Sequence, residues 1–150
     1  MMPPKLILSP VDFSDPSDNA LKVAADLASR LGSQLCLVNV VPMLSRVPSV
    51  GTIFQAAEYE QALHNDAEQR LRQVALNLTQ SGLVVKTIVA IANDVGMEIL
   101  RIAERNNADL IVICTHGMTG WHKLAFGSVA EKVVRVSTCP VLLLKAQPKA

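Results

Sequence analysis

The sequence predicts an α/β protein: a parallel sheet with helices on both faces, in the order β-α-β-α-β-α-β-α-β. Two observations carry that expectation. Short apolar runs alternate with amphipathic stretches of helical period along the whole chain, as parallel strands joined by crossover helices require. Half of the 150 residues are hydrophobic but only 3% are aromatic, so the core is left to Leu, Val, Ile and Ala, which suits helices packed on a parallel sheet. The length fits a single domain, residues 1–150, able to bury a core without staples. No internal repeat, low-complexity segment or second domain is visible.

The elements follow in order. Leu6-Ile7-Leu8-Ser9-Pro10-Val11 is a short apolar run that reads as a first buried strand. Asp12 to Ser17 is a polar turn, in which Ser14 or Asp15 caps a helix with Pro16 at its start. Ala20, Leu21, Ala24, Ala25, Ala28 and Leu31 recur at helical spacing, and Gly32 stops the helix. Leu35 to Val41 is a second strand ending at Pro42. Residues 42–53 read as a loop, long against the usual ~2–6 residues between strand and helix. Leu63, Ala67, Leu71, Val74 and Leu78 mark the apolar stripe of a long helix, with Glu60, Asp66, Glu68, Arg70 and Arg72 mostly off it, and Ser81-Gly82 ends it. Val84 to Ala90 is a third strand. Asn93-Asp94 opens a helix carrying Ile99, Leu100, Ile102 and Ala103, which Asn106-Asn107 closes. Leu110 to Cys114 is the clearest buried strand, Ser128 to Val136 the last helix and Val141 to Leu144 the last strand.

Bulk properties narrow the function. The net charge is +1 with no basic run, so the electrostatic footprint of a nucleic-acid binder is missing, as are aromatic stacking platforms. Cys36, Cys114 and Cys139 form no close pair, and read as small buried thiols rather than disulfides or zinc ligands. His64 and His122 have no carboxylate or cysteine partner at metal-ligand spacing, and read as solvated side chains. No signal peptide pattern opens the chain and no apolar run approaches the ~20 residues of a membrane helix. The expected compartment is the cytoplasm.

Open parallel sheets bind ligands at the carboxyl ends of their strands, near the point where strand order reverses. That rule selects the segments after Val11, Val40 and Ile113. The third, Thr115 to Ser128, holds Gly117, Gly120 and Gly127 and ends where a helix begins. Its physics favours an anion, because glycines admit close backbone approach and a helix start presents unpaired N–H groups with roughly half a positive charge. Ser128 can cap that helix or donate to a phosphate oxygen. The alternative is that the glycines only shape a turn. The spacing matches neither a Walker A loop nor a dinucleotide fingerprint.

Thr115-His116-Gly117-Met118-Thr119-Gly120, the nine residues between Gly117 and Gly127, Ser128-Val129-Ala130-Glu131-Lys132-Val133 and Cys139-Pro140-Val141-Leu142-Leu143 together resemble the universal stress protein family. Leu8-Ser9-Pro10-Val11-Asp12-Phe13-Ser14 is similar to its first strand and turn, and Ala108 to Ile113 to its fourth strand. The resemblance covers nearly the whole chain. It implies a five-stranded parallel sheet of order 3-2-1-4-5, the adenine nucleotide alpha hydrolase-like fold. It also implies ATP, ADP or AMP as ligand, with magnesium left open.

The family's ATP-binding branch carries Gly-x2-Gly-x9-Gly-Ser/Thr. Here Gly117, Gly127 and Ser128 fill the later places, while Cys114 stands where the first glycine would. Carried over by position, Pro10, Val11 and Asp12 lie near the adenosine and Val40 meets the adenine. Ile113, His116 and Gly117 line the ribose and triphosphate side, and Gly127, Ser128, Val129 and Ala130 hold phosphates. The resemblance also implies a homodimer paired through the edge strand Val141–Leu144. Lys123 and Trp121 read as a solvated lysine and a packing residue of the loop, and Ser9 as a strand residue without the elbow of a nucleophile. Three functions compete: a nucleotide-binding regulatory module of the stress response, an enzyme amounting at most to a slow ATPase, and a dimeric interaction module that binds no nucleotide. Asp12 is the only carboxylate the sequence places near the site, thin support for phosphoryl transfer, and Cys114 is what favours the third.

Overall fold

The computed structural model describes residues 2–44, 50–115 and 127–146, with the side chains of the long second helix described from residue 55 on. The element order is β1 (Leu6–Pro10), α1 (Asp15–Leu31), β2 (Gln34–Pro42), α2 (Val50–Gln80), β3 (Val85–Ala92), α3 (Val95–Arg105), β4 (Leu110–Cys114), α4 (Ser128–Val136) and β5 (Val141–Leu144). The five strands form one sheet of order β3-β2-β1-β4-β5, and every pairing is parallel. This is the expected doubly wound α/β fold, with the expected strand order.

Strand pleating divides the core in two. Ile7, Leu35, Leu37 and Val112 face one side and pack with Leu21, Ala24 and Ala28 of α1 and Leu71 of α2. Leu8, Cys36, Val38, Ile111 and Ile113 face the other and pack with Ile99, Ile102 and Ala103 of α3 and Ala130 and Val133 of α4. Alternate residues of one strand thus serve opposite helix layers. The reversal point falls between β1 and β4, whose carboxyl ends lie side by side.

Local signals set the helix ends. Ser14 caps α1, its hydroxyl accepting from the Ser17 N–H at 3.3 Å. Gly32 closes α1 with φ +69°, a left-handed conformation that glycine adopts without the usual side-chain clash. Asp94 caps α3, accepting from the Met97 N–H at 3.0 Å.

Four expectations need correction. The helix α2 starts at Val50, inside the segment read as loop 42–53. Gly51 and Thr52 have weak helix propensity and hide the first turn, which the long downstream helix recruits. Residues 45–49 of that loop lie outside the described residues. β3 runs on to Ala92 because Ile91 and Ala92 pair with Val41 and Pro42. Glu60 is not off the apolar stripe: it is buried, and its carboxylate accepts from the Leu44 N–H at 2.9 Å. A buried carboxylate needs such donors, and here the segment just after β2 supplies one. His64, one turn on, is half-buried rather than solvated, and its Nδ1 has no hydrogen-bond partner among the described residues. Ser9 is fully buried within β1, as a strand residue should be.

A bridge ties the two helices of the second layer. The Lys132 ammonium of α4 bonds Asp94, the cap of α3, and the lysine stem lies across Gly96, where a β-carbon would meet its Cδ at 3.1 Å. This partnership, followed by the bond from the Met97 N–H, holds the Asp94 carboxyl below its ordinary 3.8. A depressed acid stabilises the fold above its unfolded value, and that contribution fades as pH falls through the folded one. Asn caps helices about as well as Asp, so Asp94→Asn removes the charge alone. We expect the variant to be less stable than the parent at pH 7 in urea titrations and the two to converge below pH ~3.8. High salt should shrink the neutral-pH difference, since both side chains are partly exposed.

Candidate functional site

A cleft opens at the carboxyl ends of β1, β2 and β4, with about 570 Å³ of empty space that is partly open to solvent. Its floor and one wall are apolar: Val38 and Val40 from β2, Ile113 from β4, and Val95 and Ile99 from α3. The opposite rim is the turn after β1, with Pro10, Val11 and Asp12, followed by Pro16 and Ser17 of α1. Val129 and Ala130 of α4 complete it. The first turns of α1, α3 and α4 therefore meet at one cleft, and three helix dipoles present their positive ends to it.

The three starts are not alike. Ser14 caps α1 and Asp94 caps α3, but the N-cap of α4 is Gly127, and among the described residues no side chain bonds its first turn. A helix leaves its first N–H groups without partners of its own, so α4 brings uncapped amides to the edge of the cleft. Ser128 is the first helical residue and is exposed. It does not cap the helix, which removes one of its two expected roles. Gly127 has φ −58° and ψ 147°, a conformation open to any residue, so backbone freedom is not what glycine supplies there.

Asp12 sits at the rim in a knot of hydrogen bonds. Its N–H donates to the Ser17 hydroxyl at 3.0 Å. One carboxylate oxygen accepts from the Ser14 N–H at 2.9 Å and the Ser14 hydroxyl at 2.5 Å. Phe13 between them has φ +64°, unusual for a bulky residue, with the Arg70 guanidinium 3.9 Å above its ring. Across the cleft, burial pushes the half-buried Cys114 thiol above its ordinary value, and the Asp12 charge adds to the shift. The thiol therefore stays protonated and weakly nucleophilic at neutral pH.

Of the residues singled out from the sequence, Pro10, Val11, Asp12, Val40, Ile113, Cys114, Val129 and Ala130 line this one cleft. Gly127 and Ser128 stand at its edge as the start of α4. His116 and Gly117, with Trp121, His122 and Lys123, lie outside the described residues. Sequence reasoning missed Asn39, Ser17, Val95 and Ile99, all of which line the cleft. Asn39 had a signal, a polar residue inside an apolar strand; the α3 residues had none, because only the fold brings that helix to the cleft. Among the described residues no three His, Cys, Asp or Glu side chains gather to hold a metal, and no helix is long and apolar enough to cross a membrane.

The sequence model described as the universal stress protein family matches residues 4–145. The chain belongs to the universal stress protein family. This universal stress protein is 32% identical to the Methanocaldococcus jannaschii universal stress protein MJ0531 over 147 residues, covering 97% of this chain and 84% of that one. Among solved structures it is similar to the universal stress protein UspA from Lactobacillus plantarum, with a TM-score of 0.80 at 26% identity, covering 93% of this chain and 97% of that one. It is also similar to the Methanocaldococcus jannaschii protein MJ0577, with a TM-score of 0.77 at 29% identity, covering 99% and 100%.

Proposed function

We propose that this universal stress protein binds an adenine nucleotide, ATP or the related ADP and AMP, and serves as a cytoplasmic regulatory module of the stress response. The observation that carries the reading is the uncapped start of α4 beside an apolar wall at the sheet's reversal point. Phosphates suit the amides of Ser128, Val129 and Ala130, which no described side chain caps; the Ser128 hydroxyl is a further donor. An adenine suits the apolar wall at Val40, and a ribose the side lined by Asp12 and Ile113. The fold itself lends analogy: an Archaeoglobus fulgidus universal stress protein of this fold, 22% identical with a TM-score of 0.65, was solved in complex with dAMP.

Asp12 is the one carboxylate lining the cleft among the described residues, so Mg²⁺ would arrive on the phosphates rather than wait in a protein site. One carboxylate already bonded into its own turn is a poor general base, and catalysis is limited to slow ATP hydrolysis at most. Calorimetry of dialysed protein with ATP, ADP and AMP, with and without Mg²⁺, tests the reading. We expect saturable binding below millimolar concentration; no heat with any of the three at millimolar levels defeats it.

The second reading, a dimeric interaction module without nucleotide, is favoured by one observation: the Cys114 side chain lines the cleft where the family's pattern has glycine. Both readings include a homodimer through β5. That strand is a sheet edge, its four residues are half-buried, and Val134 and Val136 of neighbouring α4 are exposed. Pro140 and Leu144 accept from Ile111 and Thr115, which turns the amide groups of Val141 and Leu143 to the free edge, ready for another chain. Sedimentation equilibrium should give twice the chain mass at micromolar concentration; a monomer throughout removes the dimer from both readings.

A further inference from the structure

Asn39 stands in β2 among Leu37, Val38, Val40 and Val41 and is only 9% exposed. A primary amide buried in an apolar strand is costly unless bonded, and the sheet does not need it, since the ladder uses backbone groups alone. Its Nδ2 donates to the Val11 carbonyl at 2.8 Å, while the Val11 N–H donates to the Val38 carbonyl at 2.7 Å. Two neighbouring β2 residues thus hold both backbone groups of the last residue before Asp12. Val11 has already left the β1 ladder, so this side chain supplies a bond that strand pairing does not.

The far side of the turn is held as well. Ser17 accepts from the Asp12 N–H, and Ser14 donates twice to the Asp12 carboxylate. Between these anchors Phe13 keeps its left-handed backbone, a conformation that persists only where its surroundings over-determine it. Ser14 and Ser17 act on the turn from α1; Asn39 acts on it from the sheet.

We propose that Asn39 is a positioning residue: through the Val11 carbonyl it sets where the Asp12 carboxylate stands at the cleft, and so governs recognition of the ligand's ribose or base. The inference rests on the nucleotide reading above. Asn39 itself need not touch ligand.

The test compares wild type, Asn39→Leu, Asn39→His, Asp12→Ala and the Asn39→Leu/Asp12→Ala double variant. Thermal melts verify folding, amide hydrogen exchange reads the turn, and calorimetry with ATP reads the site. Asn39→Leu should speed exchange at Asp12 and Ser14 while β4 stays protected, and should weaken ATP on the order of tenfold, within the range for coupled neighbours. Asn39→His, whose Nδ1–H reaches the same position, should restore both readouts. The double variant should bind ATP no more weakly than Asp12→Ala alone. Should Asn39→Leu fail to fold, Asn39→Asp replaces it, since it keeps the size and loses the donor, with the same outcomes expected. Unchanged exchange, or ATP losses that simply add, would overturn the inference. A wild-type protein that binds no nucleotide defeats the site reading instead, and exchange at Asp12 and Ser14 then decides alone whether Asn39 holds the turn.

Discussion

Replacing Cys114 with glycine should tighten ATP binding by on the order of tenfold or more, since one group too many in a pocket is worth about 10–200-fold. Cys114 ends β4 and lines the cleft. Cys114 is half-buried, and burial raises its thiol pKa above the ordinary value. It lines the same cleft as Asp12 and as Val129 and Ala130 of α4, and so borders the line that a nucleotide bound from Asp12 to α4 would follow. Glycine clears that line and lets backbone and ligand approach each other. The substitution should cost stability of about 0.5–1 kcal/mol, as glycine does within a strand. Calorimetry at matched temperature reads the affinity and urea titration the stability. The starting level matters as much as the gain. Measurable binding by wild type supports the nucleotide-regulated reading; a gain from an undetectable level supports the interaction module. Equal affinities in both proteins would show that the thiol does not intrude.

The second large effect is on stability. Leu71→Ala should destabilise the fold by about 2–5 kcal/mol, the range for truncating a fully buried leucine. Leu71 is 0% exposed and belongs to the core between the sheet and the α1–α2 layer. Among the described side chains of α2, only Glu60, Ala67 and Leu71 are buried. A helix of 31 residues thus rests on a short seam, and Leu71 is its one large fully buried anchor. Denaturant melts check the loss, and hydrogen exchange should show the edge strand β3 opening first, because it pairs only with β2 and is covered by α2. A loss under about 1 kcal/mol would mean that the layer closes over the gap.

Much of this was legible in the chain because local and global signals agree. β4, α4 and β5 have the boundaries read from sequence, since continuous β-branched and leucine runs leave no other use for those residues, and Ser137–Pro140 cannot continue a helix. The turn at Asp12 was legible for the same reason: Ser14 and Pro16 are both helix-start residues. What stayed hidden depends on tertiary contact. Glu60 looks like a solvated charge until β2 is seen to end against it. Val95 and Ile99 look like ordinary core positions until α3 is seen to border the cleft. The α4 start could be located in the sequence, but not the fact that Ser128 leaves it uncapped, because capping is a matter of one torsion.

The helix α4 has nine residues, a rod of roughly 14 Å at ~1.5 Å per residue. One end meets the cleft. The other passes into β5 through Ser137–Pro140, a connector stiffened by the Ser137 hydroxyl, which donates to the Cys139 carbonyl at 2.8 Å and accepts from the Cys139 N–H at 3.3 Å. Such a strut has little slack. The helix α4 therefore joins the mouth of the cleft directly to the outermost strand, and a nucleotide bound at one end and a second chain paired at the other would be linked through it. If filling the cleft tightens the pair of chains, dilution must loosen the grip on the ligand by the same factor.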